Sequence, residues 1–282
     1  MTRPASLMVC LAPHAPNDGL LELTADLAAR LEVGKVIGIG ARQPIQIYGT
    51  PEMYVPPELV TWDREQIDRE LKAAEEEFRS ALKGKVAAIE WRSAVVTHGA
   101  IADYVAEQMR AADLLVTGAQ KDGAVLDPSR YGGPADLVLR AGRPVLVAAP
   151  TEGRLDLRNV VVCWKDKREA RRAVQDALPL LRLAGQVVVV EIAVADELAG
   201  ARARTQDVAG WLTAHGVAAS ARAVVATADE SAQLRDITSD LELDAGLVVG
   251  GAYGHTRLRE WILGGVTRDL LLQPLRCSLV SH

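Results

Sequence analysis

The chain has 282 residues and a formal net charge of −5, with 49% hydrophobic and 24% charged residues. That balance predicts a folded globular protein of about two domains and excludes disorder, a collagenous repeat and broad binding to a nucleic-acid backbone. No run reaches the eighteen or so apolar residues of a membrane span, and with aromatic residues at only 4% the core must be aliphatic, as in a parallel sheet covered on both faces.

In chain order, Leu7–Leu11 reads as a strand, and a helix follows Asn17 and Asp18 with Leu20, Leu23, Leu27 and Leu31 on one stripe. Lys35–Ile39 is a strand. Residues 42–61, rich in Pro and Tyr, interrupt the alternation before a helix at Asp63–Lys83, where Ile67, Leu71, Ala74, Phe78 and Leu82 share a face. The first half continues with strand Val86–Val96, helix Ala100–Ala111, strand Leu114–Gly118, helix Ala135–Arg140 and strand Val145–Ala148. After a short polar linker the order resumes: strand Val160–Trp164, helix Lys167–Leu183, strand Val187–Ile192, helix Ala195–His215 and strand Val217–Val225. Helix Asp229–Leu241, strand Gly246–Gly250, helix Val266–Leu272 and strand Cys277–Val280 complete it. Strands alternating with helices predict an α/β fold in which right-handed crossovers wind a parallel sheet with helices on both faces.

The second half repeats the first. Residues 6–11 resemble residues 159–164, residues 114–119 resemble residues 247–252, and the paired glycines Gly132-Gly133 match Gly264-Gly265. The offset between copies changes once, by about two dozen residues, which places one insertion at about 42–61 of the first copy. The expected domains are 1–150 and 151–282. The recurrence also makes Leu7–Leu11 a first strand rather than part of a signal peptide. Cys10, Cys163 and Cys277 lack the spacing of a disulfide framework or zinc site. Cys10 and Cys163, at equivalent strand positions, read as small buried hydrophobes.

Ligands of open α/β sheets bind beyond the carboxyl ends of strands. There the second copy carries Gly251-Ala252-Tyr253-Gly254, nine residues, then Gly264-Gly265-Val266-Thr267. Glycines allow close backbone approach, and free N–H groups at a helix start attract an anion. His255, Arg257 and Arg259 add positive character. This is a candidate phosphate cradle; equally, Gly251 and Gly254 serve a plain turn.

The Gly-x-x-Gly, nine residues, Gly-Gly spacing after the fourth strand resembles the nucleotide motif of the universal stress protein family, and the duplicated five-strand pattern is similar to its tandem form. The resemblance implies two Rossmann-like domains, each a five-stranded parallel sheet of order 3-2-1-4-5. It implies that the second domain binds ATP or a related adenine nucleotide as a regulatory stress-response signal. The implied contacts are Trp164, Lys165, Gly251, Tyr253, Gly254, His255, Arg257, Gly264, Gly265, Val266 and Thr267. Two positions depart from the family pattern. Gly265 stands where a Ser or Thr is usual, with Thr267 as the substitute hydroxyl, and Lys165 stands where Asp is usual. Lys165 is either a solvated loop residue or a substitute for a metal's charge, so Mg2+ is left open. The first copy, with Ala12 at the Asp position and no second glycine in Gly118-Ala119-Gln120-Lys121, reads as degenerate.

No catalytic residue or metal set is assigned. Two alternatives stay open, a ligand-free interaction scaffold and a slow nucleotide hydrolase. The expected setting is cytoplasmic, without membrane or nucleic acid. Family members pair through their last strands, so Val145–Ala148 beside Cys277–Val280 is the expected intramolecular pairing, with a further homodimer left open.

Overall fold

The computed structural model describes residues 4–45, 56–119, 133–150, 153–227, 229–240, 243–252 and 276–282. The first half contains β1 (Ser6–Cys10), α1 (Asp18–Arg30), β2 (Lys35–Arg42), α2 (Pro57–Leu82) and β3 (Ala88–Val95). It continues with α3 (Ile101–Gln108), β4 (Leu114–Gly118), α4 (Pro134–Arg140) and β5 (Val145–Ala148). The second half contains β6 (Asn159–Cys163), α5 (Arg168–Leu181), β7 (Gln186–Ala193), α6 (Leu198–Ala214) and β8 (Ala219–Val225). It ends with α7 (Glu230–Ser239), β9 (Leu247–Gly251) and β10 (Cys277–Ser281). The expected helix at 266–272 lies outside the described residues.

Each half has the strand order 3-2-1-4-5, but the two do not form separate five-stranded sheets. They join into one ten-stranded sheet, β3-β2-β1-β4-β5-β10-β9-β6-β7-β8. All described pairings within a half are parallel, while β10 and β5 pair antiparallel, with Leu279 opposite Leu146. The correction has a plain cause. A five-stranded sheet ending at β5 would leave a fully buried apolar strand with one unpaired edge, and the second copy supplies the matching edge. Because the junction is antiparallel, the carboxyl ends of the strands in the two halves point in opposite directions.

Alternation along each strand builds two layers. Leu7, Val9, Val116, Leu146, Val160, Val162, Val249 and Leu279 face α1, α2, α5 and α6 in one apolar cluster that runs through both halves. Met8, Ile37, Leu115 and Val147 face α3 and α4, and Val161, Val188 and Val190 face α7. Of the outer strands, β3 is mostly half-buried and β8 is exposed at about half of its positions. Charged Glu90, Arg92 and Arg222 lie on them, as suits edges that must not pair with other chains.

Helix α2 starts at Pro57, six residues before the expected Asp63, so the last part of the presumed insertion is helical. Pro57 occupies the first turn, where its missing N–H costs nothing, and Glu58 lies at the positive end of the helix dipole. Residues 46–55 of that insertion lie outside the described residues. The 195–215 helix opens as a short 3-10 turn, Ala195–Glu197, before α6. The expected Ala100–Ala111 helix likewise closes as the 3-10 turn Met109–Ala111 after α3. No helix among the described residues is long and apolar enough to cross a membrane.

Candidate functional site

The candidate site begins where β6 and β9, adjacent in the sheet, reach their carboxyl ends. Of its eleven expected residues, Trp164, Lys165 and Gly251 are described. Tyr253, Gly254, His255, Arg257, Gly264, Gly265, Val266 and Thr267 lie outside the described residues, as does Arg259.

Trp164 follows β6, and its N–H donates to the Val190 carbonyl at 2.7 Å. Its side chain is only 9% exposed and belongs to the apolar cluster on the α5 side of the sheet. The indole Nε1–H is buried without a hydrogen-bond acceptor among the described residues. A buried donor left this way forfeits roughly 1–3 kcal/mol of desolvation, so such groups are rare and call for an explanation. In the first half the equivalent residue is Leu11, whose N–H donates to Ile39 in the same way but whose side chain carries no polar atom.

The loop after β6 is a run of exposed charges, Lys165-Asp166-Lys167-Arg168. It is turned by the Lys167 N–H donating to the Lys165 carbonyl at 2.6 Å, and Arg171 pairs with Asp166 at 2.5 Å. The matching loop of the first half is closed instead. Asn17 is 4% exposed and holds both ends of it. Its Oδ1 accepts from the Ala12 N–H, and its Nδ2 donates to the Ala12 and Ala15 carbonyls. Glu77 of α2 then accepts from the Asn17 N–H and Nδ2, at 2.8 and 2.9 Å. Nothing in the sequence periodicity pairs Asn17 with Glu77. The sequence marks Asn17 only as the start of a helix.

Gly251 ends β9 and is buried. A Cβ there would lie 2.6 Å from the Ala170 nitrogen and the Glu169 carbonyl carbon of α5. The absence of a side chain at Gly251 is therefore required by the approach of the first turn of α5, whatever ligand the site takes. Gly118, its counterpart, has nothing among the described residues within 4 Å of that position. The Glu169 carboxyl is held below its ordinary range, first by a hydrogen bond from its own backbone N–H and then by Arg168, with His282 adding a smaller effect. The start of α5 thus already carries an anionic side chain, as a helix dipole favours.

Burial pushes the thiols of Cys10 and Cys163 up to about 12, so neither is a thiolate near neutral pH. Among the described residues no group of three or more His, Cys, Asp or Glu side chains could hold a metal ion.

No protein-family model matches the chain, and no curated protein matches it. Solved structures do. One is a universal stress protein from Archaeoglobus fulgidus, at a TM-score of 0.67 and 13% identity, covering 98% of this chain and 95% of that one. Another is a protein of unknown function from Pseudomonas aeruginosa PAO1, at a TM-score of 0.62 and 15% identity, covering 99% of this chain and 93% of that one. The likeness extends over the whole chain, both halves included.

Proposed function

We propose that this chain, which has the fold of universal stress proteins, is a regulatory protein of that type that binds an adenine nucleotide through its second copy, residues 151–282. The observation that carries the reading is the buried Trp164 Nε1–H, without an acceptor among the described residues, at the carboxyl end of β6. A nucleobase or ribose oxygen or nitrogen brought there would complete it. The exposed cations of the adjoining loop and the Gly-x-x-Gly, nine residues, Gly-Gly spacing supply the phosphate end. Binding would act by shifting a conformational equilibrium toward the state in which this edge of the sheet is ordered around the ligand.

The test is titration with ATP, ADP and AMP by calorimetry. The expected result is binding in the wild type and a loss of about tenfold in Trp164→Phe, which keeps the bulk and removes the N–H, equivalent to about 1.4 kcal/mol. If Lys165 stands in for a metal's charge, chelating Mg2+ changes the affinity less than threefold. Absence of binding at millimolar nucleotide rejects the proposal.

One observation favours a second reading, a scaffold of the same fold without a ligand. Gly251, part of the motif, is fully accounted for by its contact with α5. Mass spectrometry of the purified protein separates the two, since co-purifying nucleotide supports the first and its absence together with a null titration supports the second.

A further inference from the structure

Trp164 has a polar neighbour across the sheet. Cys163 pairs with Gly250 of β9 and with Val190 of β7, so the next residue, Trp164, falls level with Gly251 and Glu191. These three positions form one row across β9, β6 and β7, about 5 Å apart from strand to strand. All three face the α5 and α6 side. Gly251 meets α5, the Trp164 side chain joins the apolar cluster there, and Glu191 meets Arg204 of α6.

Glu191 is 5% exposed. Its Oε1 accepts from Arg204 Nη2 at 2.5 Å and from Nε at 3.1 Å. Its Oε2 accepts only from the shared Nε, at 3.2 Å, among the described residues. A carboxylate offers about four acceptor sites, so Oε2 retains capacity for a further donor. Trp164 carries the reverse deficit, a buried donor without an acceptor among the described residues. The first copy has neither group. Leu11 and Gly40 occupy the two positions, and the space over Gly40 is taken by Trp91 and Leu71. Donor and acceptor therefore enter the fold together, in the copy that carries the glycine motif.

We propose that Trp164 and Glu191 form a subsite for the ribose hydroxyls of the nucleotide, with Trp164 Nε1–H donating to a hydroxyl oxygen and Glu191 Oε2 accepting a hydroxyl proton. This rests on the nucleotide reading above and selects among the groups that reading left open. A hydroxyl both accepts and donates, as the pair requires, and an O–H donating to a carboxylate makes one of the stronger hydrogen bonds. Order along the row agrees. In a nucleotide the ribose is the unit next to the phosphate, and Trp164 and Glu191 follow Gly251 of the phosphate motif. Arg204, which donates to both carboxylate oxygens, is the positioning residue of the subsite.

The adenine edge also presents a donor beside an acceptor, so the test separates base from sugar. Calorimetry on the full-length protein uses AMP, the dideoxy analogue of AMP that lacks both ribose hydroxyls, and inosine monophosphate, which lacks the amino group. AMP and inosine monophosphate should bind alike. The dideoxy analogue should bind at least about tenfold more weakly, because a site built for hydroxyls leaves its own groups unpaired without them. Trp164→Phe, and separately Glu191→Met combined with Arg204→Met, should close most of that gap by weakening AMP alone. The double replacement exchanges a buried ion pair for apolar side chains of similar length, which proteins often tolerate, and misfolding would weaken every ligand rather than one. Equal affinity for AMP and its dideoxy analogue, a loss with inosine monophosphate in place of the dideoxy loss, or a gap that survives in both variants overturns the proposal and leaves the nucleotide reading standing. Absence of binding by all three at millimolar concentration overturns both.

Discussion

In the first half, Gly38 and Gly40 of β2 lie under Trp91, with Phe78 packed against that ring at a centroid distance of 5.6 Å. The same register positions of β7 are Val189 and Glu191, opposite Ala221 and Ala223. Glu191, 5% exposed, accepts from Arg204 of α6 through both carboxylate oxygens, so the second half fills with an ion pair the space that the first fills with rings. The loops after the first strands differ in parallel: Asn17 and Glu77 close one, while four exposed charges leave the other open. One topology therefore carries a first copy specialised for packing and a second with an accessible, charged edge at the end of its first strand.

The difference does not make the copies independent, because one apolar cluster runs through both. Leu279 lies at the junction opposite Leu146 and is 1% exposed. Leu279→Ala should lower the stability by about 4 kcal/mol, the range for a buried leucine whose site cannot collapse. Urea unfolding followed by hydrogen exchange should show protection lost together in β1 and β6. Selective loss in the second half alone would show that the copies unfold separately.

Exchanging the packing solutions gives the next effect. Gly38→Val introduces the residue of the second half at the matching position, where a Cβ meets Trp91 and Phe78 at 2.7 and 2.8 Å. The expected cost is roughly 3 kcal/mol of overpacking, measured as a lower urea midpoint. Adding Trp91→Ala, the residue type of the second half at that pairing, should recover part of it, since the clash is with that ring. A neutral Gly38→Val would mean that the rings move freely and that the two copies are packed alike. A smaller effect is expected in the loops. Asn17→Ala strips partners from the Ala12 N–H and from Glu77 and should cost about 2 kcal/mol, whereas Lys167→Ala, at the equivalent exposed position, should stay within about 0.5 kcal/mol.

The strands and the duplication were legible because aliphatic runs and recurring glycines are local signals, whereas the pairing of the last strands came from the family resemblance. The order 3-2-1-4-5 was not local. It came from family resemblance, since periodicity does not say which parallel strands are neighbours. The start of α2 was signalled by Pro57 and Glu58 but masked by the surrounding Pro- and Tyr-rich composition. The site was legible as a spacing of glycines, not as geometry. That Gly251 answers to the α5 backbone, that Trp164 buries an N–H unanswered among the described residues, and that Asn17 meets Glu77 sixty residues away are long-range features with no periodic trace. Most of the glycine motif itself, from Tyr253 to Thr267, lies outside the described residues.

The smallest expected effect tests the comparison at the start of each first helix. Glu169 occupies the first turn of α5, and the register of the buried faces places Gly19, without a side chain, at the same point of α1. The folded pKa of Glu169 lies below the ordinary value, chiefly through its own backbone N–H. Its carboxylate therefore contributes stability in full above the unfolded glutamate range, near 4.5, and loses it as pH falls through the folded value. Glu169→Gln should cost between about 0.3 and 1 kcal/mol at neutral pH. The deficit relative to wild type should shrink as the pH is lowered below that range, because the wild-type residue then becomes neutral too. A deficit independent of pH would assign the loss to packing against Gly251 rather than to charge at the helix start. Gly19→Glu, placing the same group on α1, should gain less than Glu169 contributes, because Asp18 already puts a carboxylate in that turn.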